Sequence, residues 1–282
     1  MELQGTVAIV TGGNGGLGQR ICHALAQAGS HIAVVYTQSQ AQAQEVAGQL
    51  RQTGVQAEAM ACDVTHPQQV QQLVSQVVQT FGRVDILVND AAYNIWIAFQ
   101  DLDAMTYEEW QKILDVNLTG PMLCIKAVTP IMRQQGNGRI VNIASIAGLM
   151  PSGSSIPYAV SKAGLIHLTR CMAVGLAPQV LVNCIAPGYL EGTRATSNLD
   201  LNFQEQAKQG ALLKRAADKD GIADQVVALC RTNSITGQTL VILRTLFSLT
   251  TLHSGCPTYR PLLRAGGLVD RRQRQAVKPY ST

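Results

Sequence analysis

The sequence predicts an α/β protein built on a single doubly wound parallel sheet with helices on both faces. Three observations lead there. Short β-branched apolar runs alternate with stretches whose apolar residues recur every three or four positions, the pattern of strands joined by covering helices. The first of these runs opens directly into a glycine-rich turn followed by a helical pattern. Hydrophobic residues make up 46% of the 282, enough to fill a sizeable core.

The elements can be justified in order. Val7-Ala8-Ile9-Val10 reads as a buried strand within 6–11. It feeds Thr11-Gly12-Gly13-Asn14-Gly15-Gly16-Leu17-Gly18, after which Ile21, Leu25 and Ala28 share one helical face and Gly29 stops the helix. A strand, a glycine turn and a helix N-terminus form a phosphate cradle. The glycines let the backbone approach closely, and the free N–H groups and the helix dipole face a pyrophosphate. Gly13, Gly15 and Gly18 fit the general dinucleotide fingerprint, so the sheet is expected to be Rossmann-type; the alternative is a merely flexible glycine loop. Further strands are expected near 31–36, 55–60, 85–88, 138–144, 180–185 and 238–242. The Gln- and Ala-rich stretch 38–52 reads as a surface helix with Val46 and Leu50 inward. Between Pro67 and Phe81, Val70, Leu73, Val74, Val77, Val78 and Phe81 recur at helical spacing, and Pro67 suits the first turn. Residues 189–217 are polar with a weak helical period. No internal repeat is evident.

The chemistry centres on Tyr158-Ala159-Val160-Ser161-Lys162, with Ser145 upstream. Positions i and i+4 share a helix face, so the phenol and the ammonium can converge. A free tyrosine has a pKa near ~10. A neighbouring cation favours the phenolate and lowers that value, and a serine hydroxyl can hold a carbonyl oxygen while the phenol protonates it. Taken alone, the pair also fits an ordinary surface helix.

Together these residues resemble the short-chain dehydrogenase/reductase family over roughly residues 5–242, most of all its bacterial 3-oxoacyl-carrier-protein reductase branch. Thr11, Gly12, Gly16 and Gly18 match the family's glycine loop, and Asn14 and Leu17 lie within it. Asp63, followed by Val64, matches its acidic residue near the adenine. Asn89 and Ala91 follow the fourth strand, and Pro187-Gly188, with Leu190 just beyond, follows the sixth. Asn117, Ser145, Tyr158 and Lys162 match its catalytic residues. The resemblance implies hydride transfer between nicotinamide C4 and a carbonyl carbon, with Tyr158 as acid or base. Lys162 would lower the Tyr158 pKa and hold the nicotinamide ribose, Ser145 would orient the substrate oxygen, and Asn117 would complete a proton path through a water. It also makes 189–217 a substrate lid. A nucleotide-binding sensor of the same fold without turnover is the competing class. A third possibility is an enzyme impaired by its C-terminal tail.

Each assignment has a plainer counterpart. Ser145 could be a turn or cap residue, Asn117 a kink residue within a helix, and Asp63 or Thr65 the cap of the helix at Pro67. The chain also departs from the family's pattern. Asn89-Asp90-Ala91-Ala92 replaces Asn-Asn-Ala-Gly, so Ala92 stands where a glycine leaves room. The link before the sixth strand is one residue short at Ala177-Pro178-Gln179, and the expected Thr falls one place late, at Thr193. Tyr36-Thr37-Gln38-Ser39, about ~20 residues beyond the loop, lacks the acid that holds a ribose 2′-hydroxyl. NADP(H) is therefore expected, with NAD(H) the alternative, although the nearest basic residue near the loop is Arg20. Tyr93, Asn94, Trp96, Met150, Ser152 and Tyr189 are candidate pocket residues for a small carbonyl or alcohol substrate that the sequence does not identify.

Charge and cysteines narrow the class. Of 22 Lys and Arg and 18 Asp and Glu, seven basic residues and one acid lie beyond Ile242. The body thus carries about two net negative charges and no basic stripe for nucleic acid. Seven scattered cysteines without a C-x-x-C pair read as reduced thiols, and neither they nor the five histidines have metal spacing. No apolar run reaches the ~20 residues needed to cross a bilayer. Met1-Glu2-Leu3-Gln4 does not open a signal peptide, so a cytoplasmic protein is expected. The domain is expected to span 1–242, with 243–282 an atypical tail. That tail reads as foreign to the fold, as a reading-frame change would produce, or as an extension that binds a partner. Its segment 245–252 is apolar and β-prone, an aggregation risk. A homodimer or homotetramer is expected if the tail permits.

Overall fold

The computed structural model describes residues 1–197, 199–211 and 213–242; the expectations for the tail, 243–282, lie outside the described residues. Its strands are β1 (Val7–Thr11), β2 (His31–Tyr36), β3 (Ala57–Ala61), β4 (Ile86–Asn89), β5 (Gly138–Ile143), β6 (Val180–Pro187) and β7 (Thr239–Ile242). They form one sheet in the order β3-β2-β1-β4-β5-β6-β7, with every pairing parallel. The chain winds outward from β1 to β3 and then crosses back to β4. The strand order therefore reverses between β1 and β4, and the crevice beyond the carboxyl ends of those strands is where such sheets bind ligands.

The helices are α1 (Gly18–Gln27), α2 (Gln40–Arg51), α3 (Pro67–Phe81), α4 (Tyr107–Leu114), α5 (Gly120–Gln135), α6 (Ile156–Leu176), α7 (Arg194–Ser197), α8 (Leu201–Gly210) and α9 (Lys219–Arg231). Alternation along each strand sorts the core into two layers. Ala8 and Val10 of β1 join Ile21 and Leu25 of α1, Val46 and Leu50 of α2 and Val226 of α9. Val7 and Ile9 point the other way, to Leu73 and Val77 of α3 and Ile125 and Val128 of α5.

The expected elements form with small shifts. β3 begins at Ala57 because Gly54 is still turning in a left-handed conformation and the ladder with β2 starts at Ile32↔Ala57. β4 extends to Asn89, which pairs with both Thr11 and Asn142. β6 runs on to Pro187, opposite Ile242. The short link Ala177–Gln179 is enough to turn α6 into β6. α4 passes into α5 through a π-helical turn, Asp115–Thr119, a wide turn of the kind that clusters at functional sites.

Candidate active site

The glycine loop is shaped by close approach. Gly12 has φ +68°, and a Cβ there would come 3.0 Å from the Ala91 Cα. A Cβ on Gly18 would collide with the Gly12 carbonyl and come 2.9 Å from the Gly13 Cα. Thr11 Oγ1 accepts from the Asp90 and Ala91 amides at 3.1 and 3.2 Å, tying the end of β1 to the chain beyond β4. Asn14 is buried, and its Nδ2 donates to the Gln38 carbonyl at 2.9 Å. Leu17 is buried at the start of α1. Ala92, which stands where the family's pattern has glycine, is exposed.

Asn89 donates through Nδ2 to Asn142 Oδ1 at 2.8 Å, and Asn142 in turn donates to Thr169 of α6 at 2.9 Å. The Asn89 Oδ1 is buried without a hydrogen-bond partner. Such an orphan acceptor beside a glycine cradle fits a site that takes a polar ligand.

Asp63 does not cap α3; that position is His66, whose side chain makes no cap bond. Asp63 Oδ1 instead accepts from the Thr65 amide and hydroxyl at 2.9 and 2.7 Å. Partial burial opposes ionisation, but the Thr65 bonds and His66 outweigh it and hold the carboxyl below its ordinary range. Val64 is buried where a Cβ on Gly120, at the start of α5, would come 2.7 Å from its Cγ2.

The first two turns of α6 carry Tyr158 and Lys162. Ser155 caps the helix, its Oγ accepting from the Tyr158 amide at 3.4 Å. Ser145 caps a short 3₁₀ turn through Ala147 at 3.2 Å, so its plainer role is real. Gly148 lets that turn dock on α6, since a Cβ there would lie 2.7 Å from the Ala163 nitrogen. This brings Ser145 beside Tyr158. Lys162, on the same face, is 2% exposed and donates from Nζ to the Ile143 carbonyl at 2.9 Å. Its Nζ is 5.7 Å from the Tyr158 ring centroid.

The electrostatics differ from the expectation that Lys162 lowers the Tyr158 pKa. Burial raises it, the Ser145 hydroxyl pulls it back, and Asp90 raises it again, leaving the phenol above its ordinary value. Burial also pushes Lys162 down to about 8, against the raising influence of Asp90 and Cys184. Asp90 is itself pushed up to about 7 by burial, with Lys162 pulling it down.

Asn117 sits in the π turn and is fully buried. Its amide spans Tyr93 in both directions and donates to Ser161 of α6 at 3.1 Å. Both amide hydrogens and one acceptor site are thus engaged within the protein, so the water path expected of it would rest on the remaining capacity of Oδ1.

Pro187 ends β6, and Gly188 donates to the Ile242 carbonyl at 2.9 Å. Leu190 packs on the core layer that carries α1 and α9. Asn94 Nδ2 donates to the Ala195 carbonyl at 2.8 Å, Tyr189 donates to Gln204 at 2.8 Å, and Trp96 packs on Phe203 with ring centroids 5.4 Å apart. The Tyr93 ring is held toward α4 by Glu109 and Lys112, while its backbone bonds Asn117. Arg20 does not approach the β2–α2 turn through any ion pair; it faces Asp220 of α9 at 3.5 Å. Arg194 does reach that turn, donating to Ser39 Oγ at 3.2 Å.

The short chain dehydrogenase family pattern matches residues 6–203. The chain belongs to the short-chain dehydrogenase/reductase family. A Synechocystis 3-oxoacyl-[acyl-carrier-protein] reductase is 38% identical over 215 residues, covering 74% of this chain and 85% of that protein. Human dehydrogenase/reductase SDR family member 4 is 35% identical over 244 residues, 85% of this chain and 87% of the relative. Among solved structures, NAD+-bound xylitol dehydrogenase superposes with a TM-score of 0.79 at 30% identity, covering 86% of this chain and 99% of that one. NADPH-dependent 3-quinuclidinone reductase from Rhodotorula rubra superposes at 0.78 with 26% identity, covering 86% and 91%.

This short-chain dehydrogenase/reductase is an oxidoreductase of a family that binds NAD or NADP and acts on alcohol CH–OH and ketone groups. Two features of its site escaped the sequence reading. Asp90 was visible as a departure from the family's second Asn, but the motif drew attention to Ala92. Arg194 is 155 residues from Ser39, and nothing local signals their meeting. Among the described residues no helix is long and apolar enough to cross a membrane, and no group of three or more His, Cys, Asp or Glu could hold a metal.

Proposed function

We propose an NADP(H)-dependent oxidoreductase that interconverts a ketone and a secondary alcohol, with Tyr158 as general acid in reduction and general base in oxidation. The observation that carries it is the convergence of Ser145, Tyr158 and Lys162 beside the glycine loop at the switch point of the sheet. A bound nicotinamide supplies or accepts the hydride. Ser145 orients the substrate oxygen, and Tyr158 exchanges a proton with it, a role typically worth ~10² to 10⁴ in rate. Burial holds the phenol above its ordinary value, and the Ser145 hydroxyl pulls it back toward the range where a phenol exchanges protons readily. Lys162 uses one donor on Ile143, leaving two N–H groups for ribose hydroxyls.

Thr11, Gly12, Asn14, Gly16, Leu17 and Gly18 would hold the pyrophosphate. Asp63, Val64, Asn89, Ala91, Pro187, Gly188 and Leu190 would line the rest of the cofactor site. NADP(H) is favoured because no carboxylate stands at the end of β2. Tyr36 there is buried, and the open positions are Thr37, Gln38 and Ser39. A homodimer or homotetramer is the expected assembly, which sedimentation of the purified chain would decide.

The test is Tyr158→Phe, assayed with NADPH and a panel of ketones. Turnover should fall at least a hundredfold while NADPH binding, followed by nicotinamide fluorescence, is retained. Retained turnover would remove Tyr158 from the chemistry. Cofactor binding by the wild type with no turnover on any ketone or alcohol would favour the sensor.

A further inference from the structure

The β2–α2 turn has an unusual build. Ser39 precedes α2 in a left-handed conformation, φ +62°, yet its hydroxyl does not cap that helix. Non-glycine residues seldom adopt this conformation. The Ser39 Oγ instead accepts from Arg194 Nη2 at 3.2 Å. The carbonyls of Gln38 and Ser39 are held from the other side by Asn14 of the glycine loop, at 2.9 and 3.4 Å. An exposed guanidinium, a hydroxyl and the glycine loop therefore meet at the end of β2.

Most cations near Arg194 are paired, although Lys219, whose Nζ lies 3.7 Å from where a Cβ on Gly192 would sit, is in no ion pair among the described residues. Arg20 faces Asp220, Arg51 lies 3.8 Å from Glu58, and Lys208 pairs with Glu191. Among the described residues no carboxylate lies within ion-pair distance of Arg194. A guanidinium offers five donors in a planar fork that matches a phosphate, and here at most a neutral hydroxyl occupies it.

The backbone that carries Arg194 lies against both halves of the site. A Cβ on Gly16 would come 2.7 Å from the Gly192 carbonyl, so this strap rests directly on the glycine loop. One residue past Arg194, the Ala195 carbonyl accepts from Asn94 on the substrate side. Thr193 and Thr196 bond to each other at 2.9 Å and brace the short turn between these contacts.

We propose that Arg194 is the cation that binds the 2′-phosphate of NADP(H), and that this phosphate thereby fastens the strap 188–197 over the site. The inference rests on the NADP(H) assignment above and extends it. The group that selects the cofactor would sit on the segment that covers the substrate, so NADP(H) and NAD(H) would differ in how firmly they close the strap as well as in affinity. A ligand shifts such an equilibrium only through contacts made preferentially in one state, and a phosphate–guanidinium contact present only when the strap is down is one of these.

The experiment compares the full-length wild type with Arg194→Gln and Arg194→Lys. Dissociation constants for NADPH and NADH come from nicotinamide fluorescence, and amide hydrogen exchange is followed across 188–197. Arg194→Gln should weaken NADPH binding at least tenfold and NADH binding less than twofold, with Arg194→Lys between. NADPH should slow exchange in the strap of the wild type more than NADH does, and that difference should vanish in Arg194→Gln. If the wild type prefers NADH, the NADP(H) assignment fails and the inference falls with it. If the wild type prefers NADPH but Arg194→Gln keeps the preference, the inference alone is overturned. Equal weakening of both cofactors would make Arg194 a structural brace of the strap and would equally overturn it.

Discussion

Asn117 and Tyr93 form a closed amide pair. The Tyr93 N–H donates to Asn117 Oδ1 at 2.8 Å, and Asn117 Nδ2 donates back to the Tyr93 carbonyl at 2.9 Å. The pair fixes the chain beyond β4 against the π turn, and the third bond, to Ser161, adds α6. Asn117→Ala would leave two backbone groups of Tyr93 without these partners. Each such loss in a buried setting costs about 1–3 kcal/mol. Asn117→Ala should therefore lower stability by about 2–6 kcal/mol in urea denaturation and reduce kcat more than it raises KM. A variant with wild-type stability would mean that water replaces the amide.

Burial is the larger influence on Lys162, Tyr158 and Cys22, and Asp90 is the charge that acts on all three. Asp90 raises the pKa of Lys162 and of Tyr158 from α6, and that of Cys22 from α1; Cys184 of β6 also faces Lys162. Asp90→Asn removes a negative charge, so the Lys162 pKa, now about 8, and the Tyr158 pKa should both fall. Both changes have the same sign for ketone reduction, because each deprotonates a needed group at lower pH. The alkaline limb of the kcat/KM profile should move to lower pH in Asp90→Asn. Stability offers a second readout. A carboxyl raised to about 7 when folded, against ~3.9 when unfolded, stabilises the fold below the unfolded pKa. That contribution is lost as pH rises toward and through 7. Between pH 4 and 7 the denaturant midpoint should depend less on pH in Asp90→Asn than in the wild type; an unchanged dependence would show that Asp90 titrates normally.

The sequence made β1, the glycine loop and α1 readable because they are contiguous and each carries its own signal: a β-branched run, glycines at set spacing and a 3.6-residue period. The Ser145, Tyr158 and Lys162 group was readable for a similar reason, since two of the three share a helix. What escaped depends on contacts between distant segments. Asp115-Val116-Asn117-Leu118-Thr119 carries no break in composition, so its π turn follows from packing between α4, α5 and α6. The upward balance at Tyr158 depends on burial and on the Asp90 carboxylate, just beyond β4. Strand limits slipped by a residue or two at β3 and β4 because a strand ends where its partner does.

Gly18 tests the cradle directly. A Cβ there would strike the Gly12 carbonyl and approach Gly13, both backbone and both within the turn that shapes the loop. The loop can make room only by changing the conformation that aims its N–H groups. Gly18→Ala should weaken NADPH binding more than tenfold, at a stability cost of about 1–3 kcal/mol from overpacking. Fluorescence titration beside a thermal melt separates the two effects. Unimpaired binding would show that the loop re-forms around the methyl group and that close approach at Gly18 is not required.

Trp96 and Phe203 provide the most direct handle on the substrate side. Trp96 is 38% exposed, and its ring packs at 5.4 Å on Phe203 of α8. Together with Asn94 on Ala195 and Tyr189 on Gln204, it joins the segment after β4 to the strap and to α8. None of these three contacts includes Ser145, Tyr158 or Lys162. Loosening this junction should therefore affect substrate retention more than the chemical step. Trp96→Ala should raise KM several-fold for whichever ketone is turned over, with kcat changing less than threefold and amide exchange across 201–210 accelerating. A fall in kcat at constant KM would place Trp96 in the chemistry. Unchanged exchange would show that α8 is held by Tyr189 and Gln204 without the aromatic contact.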